Sequence, residues 1–573
     1  MQFLPVISVR AARYLPSWWD IAAAALVLGL IVLFASASEL LLEPLSLLKS
    51  SPVSLGIAHL PGYALRTALR MLIALSLSLA FTFTYATFAA KSARAGALLI
   101  PLLDILQSVP ILGFISITVV FFLSLAPGRI LGAELAAVFA IFTSQAWNMA
   151  FSFYQSLRTV PQELEEAGRL FRLNAWARFW RIEVPFAMPQ LVWNMMMSMS
   201  GGWFFVVAAE AISVGHTTVA LPGIGSYIAA AIAEQNLTAI WCAIATMLIV
   251  ILIYDQLLFR PLVAWSTRFR FDDREDEDAP ESWALTVFRR SRLIRAVATP
   301  FASLMQWTYR LSPLRVPAIR GRAAISPRSF DVIWYGLLSL LGATALWRIG
   351  QFAGPIQLRE VFSAAGLGAL TALRVLTLIA IASALWVPIG IYVGLRPKLA
   401  QLVQPIAQFL AAFPANLLFP LAVSVIAIWN LNPDIWLSPL MVLGTQWYIL
   451  FNVIAGASML PLELRDVGTS FRLRGWLWWR KIALPAVFPF YVTGAITASG
   501  GSWNASIVAE IASWGTRTLH AHGLGAYIAD ATAAGNFHRI VLGIAVMAVY
   551  VTLINRLFWR RLYEYAERRC RLS

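Results

Sequence analysis

Residues 163–189 read ELEEAGRLFRLNAWARFWRIEVPFAMP, and residues 463–489 read ELRDVGTSFRLRGWLWWRKIALPAVFP. At an offset of 300, Pro161, Glu163, Leu164, Gly168, Phe171, Arg172, Leu173, Trp176, Ile182, Pro185 and Pro189 recur as Pro461, Glu463, Leu464, Gly468, Phe471, Arg472, Leu473, Trp476, Ile482, Pro485 and Pro489. Self-similarity over such a distance marks a duplicated unit. In each copy charges and aromatics fall at helical spacing, and two prolines close the stretch where an apolar run begins. That pattern predicts an amphipathic surface helix that offers a face to a partner and then leads into a spanning helix.

The register extends outward in both directions. Gly201, Trp203, Ala209, Glu210, Gly215, Gly223, Gly225, Tyr227 and Asn236 meet the same residue types at 501, 503, 509, 510, 515, 523, 525, 527 and 536. Upstream the offset becomes 304: Thr67, Ala68, Leu69 and Arg70 repeat as Thr371, Ala372, Leu373 and Arg374, and Pro101 and Pro110 as Pro405 and Pro414. A length change of four in the region of the fourth helix accounts for the shift.

Between these landmarks the chain is strongly apolar. Of its 573 residues 60% are hydrophobic and only 13% charged, with a mean hydropathy of +0.73. An ordinary soluble enzyme carries about 25% charge, so that class is excluded. Runs long enough to cross a bilayer, about 20 helical residues, occupy 21–37, 71–90, 105–127, 135–157, 186–209 and 237–254. A second set occupies 332–347, 375–395, 399–433, 435–462, 482–509 and 540–555. No alternating strand pattern suggests a barrel, so the expectation is an all-α polytopic membrane protein with about 12 transmembrane helices. Six spans per copy is an even number, which makes the copies parallel repeats about the membrane normal. The domains are then a first half 1–262, a charged cytoplasmic linker 263–328 and a second half 329–573, with surface loops at 161–185 and 461–485. No clear cleavage pattern follows the first run, so it is expected to remain attached.

Basic residues near helix ends set the orientation. Arg10, Arg13, Lys91, Arg94, Arg260, Arg268, Arg270, Arg396 and Lys398 fall on one side if both termini are cytoplasmic. The net charge of +16 is on this reading a topology signal, with attraction to anionic lipid as its corollary; no folded basic domain suggests nucleic acid. The linker starts with the acidic run Asp272, Asp273, Glu275, Asp276, Glu277 and Asp278, then turns basic with Arg289, Arg290, Arg292 and Arg295 among Leu293, Ile294 and Val297. Both a solvated tether and an amphipathic helix on the inner membrane face fit it. Cys242 and Cys570 provide no disulfide framework.

The repeated loops resemble the coupling motif of binding-protein-dependent ABC transporter permeases, a Glu-Ala-Ala, three residues, a Gly and a later Ile-x-x-Pro ending. Glu166, Ala167 and Gly168 fall on the Glu-Ala-Ala positions and Ile182 and Pro185 on the ending; Asp466, Val467, Gly468, Ile482 and Pro485 are their counterparts. The family's Gly is Arg172 in one copy and Arg472 in the other. The runs GGWFFVVAAE (201–210), GSWNASIVAE (501–510) and LPGIGSYI (221–228) look like the nitrate, sulfonate, taurine and bicarbonate branch.

The resemblance implies a fused permease, one chain per transporter, in a bacterial inner membrane. It implies two ABC ATPase subunits on the cytoplasmic face, which hold the ATP and Mg, and a periplasmic or lipid-anchored solute-binding protein. The cargo implied is a small anion, moved by alternating access at the seam between the halves. Glu163, Glu166, Gly168, Arg172, Trp176, Pro185, Glu463, Asp466, Gly468, Arg472, Trp476 and Pro485 become the ATPase-coupling residues. Arg172 and Arg472 either pair with acidic groups of the ATPase or snorkel to lipid phosphate. No Gly-x4-Gly-Lys-Ser/Thr loop occurs, so ATP hydrolysis is expected on other chains and no cofactor on this one. A secondary transporter and a membrane enzyme are the alternatives; the first needs buried charge chains, the second a catalytic constellation, and neither is legible here.

Ionisable residues within spans are costly and therefore informative. Glu210 and Glu510 end the fifth span of each copy, and Arg70 and Arg374 lie early in the second, so Arg70 to Glu210 and Arg374 to Glu510 are expected structural pairs at the outer face. Neutral donors and aromatics are the candidates for the substrate pathway: Gln145, Trp147, Asn148, Ser198, Trp203, Gln446, Trp447, Asn452, Ser499, Trp503 and Asn504. Each equally suits packing between helices. His520, His522 and His538 do not make a metal set, for which three or four converging ligands are needed. The segments 223–236 and 523–536 are expected as short outer-face helices.

Overall fold

The computed structural model describes residues 53–108, 111–214, 217–269, 282–291, 357–458 and 470–569 except 516, with isolated positions elsewhere. The expected spans 21–37 and 332–347 lie almost wholly outside the described residues, as do Cys570 and most of the linker.

The first half opens with α1, Leu60–Lys91, which starts at Pro61, where a missing N–H costs nothing because first-turn amides have no helical partner. It is followed by α2 (Ala93–Ser108), α3 (Ile111–Leu125) and α4 (Ile130–Arg158). The surface helix α5, Gln162–Leu170, comes next, then a short turn Ala175–Arg178 capped by the Asn174 side chain. A π-helical turn, Phe179–Glu183, leads into α6, Val184–Glu210. Pro185 in the first turn of α6 has no amide to donate backward, and the wider π turn absorbs that gap. A two-stranded hairpin, β1 Ala211–Val214 with β2 Thr217–Ala220, leads to α7 (Ile224–Ala233) and α8 (Leu237–Tyr254).

Within the linker, Ser282 caps a short helix α9, Trp283–Arg290, by accepting from the Leu285 amide. Its Ala284 and Val287 are buried while Trp283, Arg289 and Arg290 face outward. The basic residues beyond it lie outside the described residues.

The second half repeats the order with α10 (Leu358–Gly394), α11 (Pro397–Ala412), α12 (Phe419–Ile428), α13 (Gln446–Ser458), α14 (Leu484–Ala509), the hairpin β3 Ile511–Trp514 with β4 Arg517–His520, α15 (Leu524–Ala533) and α16 (Phe537–Ile554). Among the described residues seven helices are long and apolar enough to cross a membrane, or nine if each of two bent pairs is one span.

Three expectations need correction. The run 399–433 is not a single helix, and over 105–127 the described residues form the end of α2, to Ser108, and α3 from Ile111. In the second half the chain bends by 78° between Ile406–Ala412 and Ala415–Ile428. Pro414 causes it: the ring removes a backbone donor and forces Phe413 into extended conformation, at ψ 128. Likewise 435–462 is bent by 42° between Pro433–Leu443 and Gln446–Ser458. The two hairpins were not anticipated in an all-α reading, because four-residue strands bearing a single turn leave no periodicity to detect.

The halves interlock. Residues Ile111, Leu112, Ile115 and Val119 of α3 belong, with Ile130, Ala136 and Phe205, to a hydrophobic cluster shared by both halves, whereas Leu417 is buried in a cluster otherwise built by the first half. Gly113 makes room for this exchange, since a Cβ there would sit 2.8 Å from Ile544. Trp193 stacks on Phe451 across the seam, with centroids 4.9 Å apart. At the hairpin end, the Gly515 amide donates to the Ile232 carbonyl of the other half at 3.0 Å.

A thermal-stability double-mutant cycle on Trp193→Ala and Phe451→Ala is expected to give a coupling of about 0.5–1.5 kcal/mol, the worth of an aromatic pair beyond its buried area. Additive losses would show that the two rings do not bind the halves together.

Candidate functional site

Three places carry chemistry: an ionic clamp in each half near the hairpins, the surface loops at the opposite end, and a cavity on the seam between them.

In the first half, Glu210 is 0% exposed at the last turn of α6. Its carboxylate accepts from Thr67 Oγ1, Arg70 Nη1 and the Gly225 amide, each at 2.7 Å. Arg70 also donates to both oxygens of Glu134, at 2.6 and 2.5 Å, and to the Pro222 carbonyl at 3.1 Å. The start of α7 thus points its free amides at a carboxylate, a favourable arrangement for both the helix dipole and the charge. The glycines of the LPGIG run exist for this approach. A Cβ on Gly223 would lie 2.3 Å from the Glu210 carboxyl, and one on Gly225 would lie 2.2 Å from the Val207 carbonyl.

The second half rebuilds the clamp with changes. Glu510 accepts from Thr371 Oγ1 at 2.8 Å and from Arg374 Nη1 at 3.4 Å. Arg374 donates to Asp434 Oδ1 at 2.8 Å and to the His522 carbonyl at 2.6 Å. The His522 amide donates to Asp434 at 2.7 Å and its ring Nδ1 lies 3.0 Å from the other carboxylate oxygen. The expected partners therefore meet in both halves, and each arginine has a second carboxylate that sequence reading missed. Glu134 and Asp434 correspond at the offset of 300, a signal that was available. Their equivalence moves the four-residue length change upstream, between Pro110 and Glu134, away from the fourth helix.

In the first surface loop Gly168 packs against Ile182, where a Cβ would be 2.9 Å from Ile182 Cδ1; Gly468 and Ile482 repeat the contact at 2.7 Å. The amide of Leu173 donates to the Gly168 carbonyl, and that of Leu473 to Gly468. Between them Arg172 and Arg472 both adopt φ 50. The left-handed turn that a Gly supplies without strain is kept here by an arginine at roughly 1–2 kcal/mol. Phe171 is 79% exposed and Phe471 74%; Leu170, Glu163, Glu166, Arg172, Arg472, Trp176 and Trp476 are exposed too. Trp176 donates to Thr308 Oγ1 of the linker at 3.2 Å. Pro185 and Pro485 sit in the first turns of α6 and α14. Glu463 and Asp466 lie outside the described residues.

On the seam a cavity of about 80 Å³ has room for a few waters or one small oxyanion. Its polar groups are Ser200, Thr445, Tyr448 and Asn504, and its walls are apolar, among them Phe204, Phe413 and Met441. Ser200 Oγ and Tyr448 OH form a short hydrogen bond across the seam. Asn504 Oδ1 accepts from the Ile111 amide of the opposite half at 2.7 Å. Of the expected pathway residues, only Asn504 lines this cavity.

The others pack within one half. Gln145, Ser198, Trp203, Ser499 and Trp503 are buried among helices. Gln145 fills the space that Gly202 leaves, while at the matching positions Thr445 bonds Ser502 at 2.9 Å and borders the cavity. Trp147 packs edge-on to Phe81, Trp447 on Trp386, Gln446 accepts from Trp386 Nε1, Asn148 accepts from Gln107, and Asn452 donates to the Tyr448 carbonyl. Among the described residues no group of three or more His, Cys, Asp or Glu is placed to hold a metal ion.

Comparison with known proteins follows the duplication. The family model described as binding-protein-dependent transport system inner membrane component matches twice, over residues 82–259 and 386–572. The chain is 29% identical over 177 residues to a bicarbonate transport system permease protein of Synechococcus elongatus, covering 31% of this chain and 60% of that protein. It is 30% identical over 168 residues to the bicarbonate transport system permease protein of Synechocystis, covering 29% and 56%. Against the nitrate import permease protein of Leptolyngbya laminosa it is 27% identical over 171 residues, covering 30% and 58%. The matched segment thus spans less than two thirds of each relative.

The clamp yields a prediction. Glu210→Ala strands Arg70 and the α7 amides and is expected to cost about 3–5 kcal/mol, read as loss of membrane-inserted protein or of thermal stability. Glu510→Ala, whose arginine is 3.4 Å away and has a more exposed second partner, is expected to cost less. Equal tolerance of both would show that neither carboxylate holds its outer helix.

Proposed function

The chain belongs to the binding-protein-dependent transport system inner membrane component family, and on that premise we propose that it is both permease halves of one ABC importer for a small anion of the bicarbonate or nitrate kind. It is a multi-pass inner-membrane transport protein, and its family is a permease component, not an enzyme. The finer reading is twelve helices in two parallel six-helix repeats with both termini cytoplasmic, moving cargo by alternating access along the seam.

The observation that carries this reading is the pair of surface loops. Each presents a large aromatic, Phe171 or Phe471, beside an arginine held in a left-handed turn, at equivalent places in two interlocked halves. Exposed aromatics and arginines are the residues that dominate protein interfaces. Two such faces suit two ATPase subunits, which would hold the ATP and Mg this chain has no loop to bind. The hairpins and outer helices at the far end suit a solute-binding protein. The names of the relatives support an anion as cargo, and a cavity with hydroxyl and amide groups but no charge can pass an anion without trapping it.

Purified from its native membrane, the chain is expected to bring two ATPase subunits with it and to drive uptake only with ATP. Uptake under an ion gradient alone would point to a secondary transporter. Replacing both Arg172 and Arg472 by Ala is expected to reduce ATPase association by at least about tenfold, each arginine contributing on the order of 1 kcal/mol or more. Unchanged assembly would return those arginines to a lipid-facing role.

A further inference from the structure

Among the described residues, the base of the first half holds an ion cluster that the matching positions of the second half do not repeat. Lys91, the last residue of α1, places Nζ 2.8 Å from Glu183 Oε2. Arg178 Nε lies 3.2 Å from the other oxygen, and Lys91 also sits over the Phe179 ring at 5.1 Å. Glu183 is buried at the end of the π turn, just before α6. The stem of Arg178 packs 3.6 Å from where a Cβ of Gly168 would be. A continuous path therefore runs from the end of a spanning helix through Lys91, Glu183 and Arg178 to the surface helix α5.

At the matching positions the second half has Leu395, Ala483 and Trp478. Trp478 packs over Gly468 as Arg178 does over Gly168, with a Cβ-to-ring distance of 3.2 Å. Leu395 and Trp478 join one apolar cluster with Leu460, Ile482 and Ala486. The residue after Leu395, Arg396, turns back onto the Tyr392 ring at 3.6 Å. The same mechanical junction is ionic in one half and apolar in the other.

We propose that Glu183 is a positioning residue that ties the first surface loop to the spanning helix α1, so that the two halves transmit the ATPase stroke through links of different chemistry. This rests on the reading of the chain as an ATP-driven permease. Lys91 is partly exposed, so its attraction to Glu183 is weakened by salt, whereas the packing of Leu395 and Trp478 against their shared apolar cluster is not. The first link is thereby sensitive to ionic strength at the inner face and the second is not.

The test uses the full transporter with its ATPases in liposomes and reads solute taken up per ATP hydrolysed. E183Q is expected to lower that ratio by about tenfold, the upper range for mutations along a coupling network, with hydrolysis itself retained. The charge exchange K91E with E183K, made together with R178Q so that the new lysine does not face a second cation, is expected to restore most of it. The triple variant K91L, R178W and E183A, which copies the second half, is expected to couple normally and to lose the salt dependence that the unaltered transporter shows. A normal ratio in E183Q, or the same salt dependence in the triple variant, overturns the proposal. Should E183Q fail to assemble, the charge exchange decides: recovery of assembly and ratio together supports the pairing, and no recovery overturns it. Absence of any ATP-dependent uptake by the unaltered complex would instead overturn the transporter reading.

Discussion

A carboxylate with no access to water ends α6 and another caps the equivalent helix α14, and the hairpin end of each half is organised around satisfying them. A buried charge is tolerated only when paired and fully hydrogen-bonded. Glu210 meets that demand with an arginine from α1, a threonine one turn earlier and the Gly225 amide of α7. Three elements distant in sequence are thereby fixed to one point. The glycines at 223 and 225 follow from the same constraint, because any side chain there would occupy the space of the carboxyl or of a neighbouring carbonyl. The hairpin too is held to it, since the Glu210 backbone carbonyl accepts from the Leu221 amide beyond the second strand.

The geometry of α1 relates this clamp to the bilayer. Arg70 and Lys91 are 21 residues apart on one continuous helix, about 32 Å at 1.5 Å per residue. That is the thickness of the hydrocarbon core. That spacing is long enough to put one ionic cluster at each boundary with the apolar stretch between them, so that neither requires a bare charge at the centre of the membrane. The cost that makes intramembrane charges rare falls toward the interfaces, where this spacing can place both clusters.

Duplication in a single chain lets the halves diverge without losing the frame. The outer clamps keep Thr, Arg and Glu but exchange Glu134 for Asp434 and Pro222 for His522. At the seam, Phe204 corresponds to Asn504, both lining the cavity, and Asn148 corresponds to Tyr448, which reaches across to Ser200. These are substitutions at matching positions that a homodimer could not hold independently.

The sequence by itself determined the membrane class, the duplication, the surface loops and the pairing of Arg70 with Glu210 and of Arg374 with Glu510. Each is written in local composition or in a residue pattern repeated at fixed offset, so no knowledge of packing is needed. Only the tertiary structure decided where the third segment of the second half breaks, how the halves share one hydrophobic cluster, which carboxylates complete the clamps, and which side chains border the seam. Gln145 and Thr445 match at the offset of 300, yet one lies within α4 against Gly202 and the other, in the turn before α13, bonds Ser502 and borders the cavity. Facing in a bundle depends on the neighbouring helix's side-chain volume, which a helical period does not record. For the same reason neutral donors chosen by residue type alone were mostly found packing within one half, and Asn504 was the one that reached the seam.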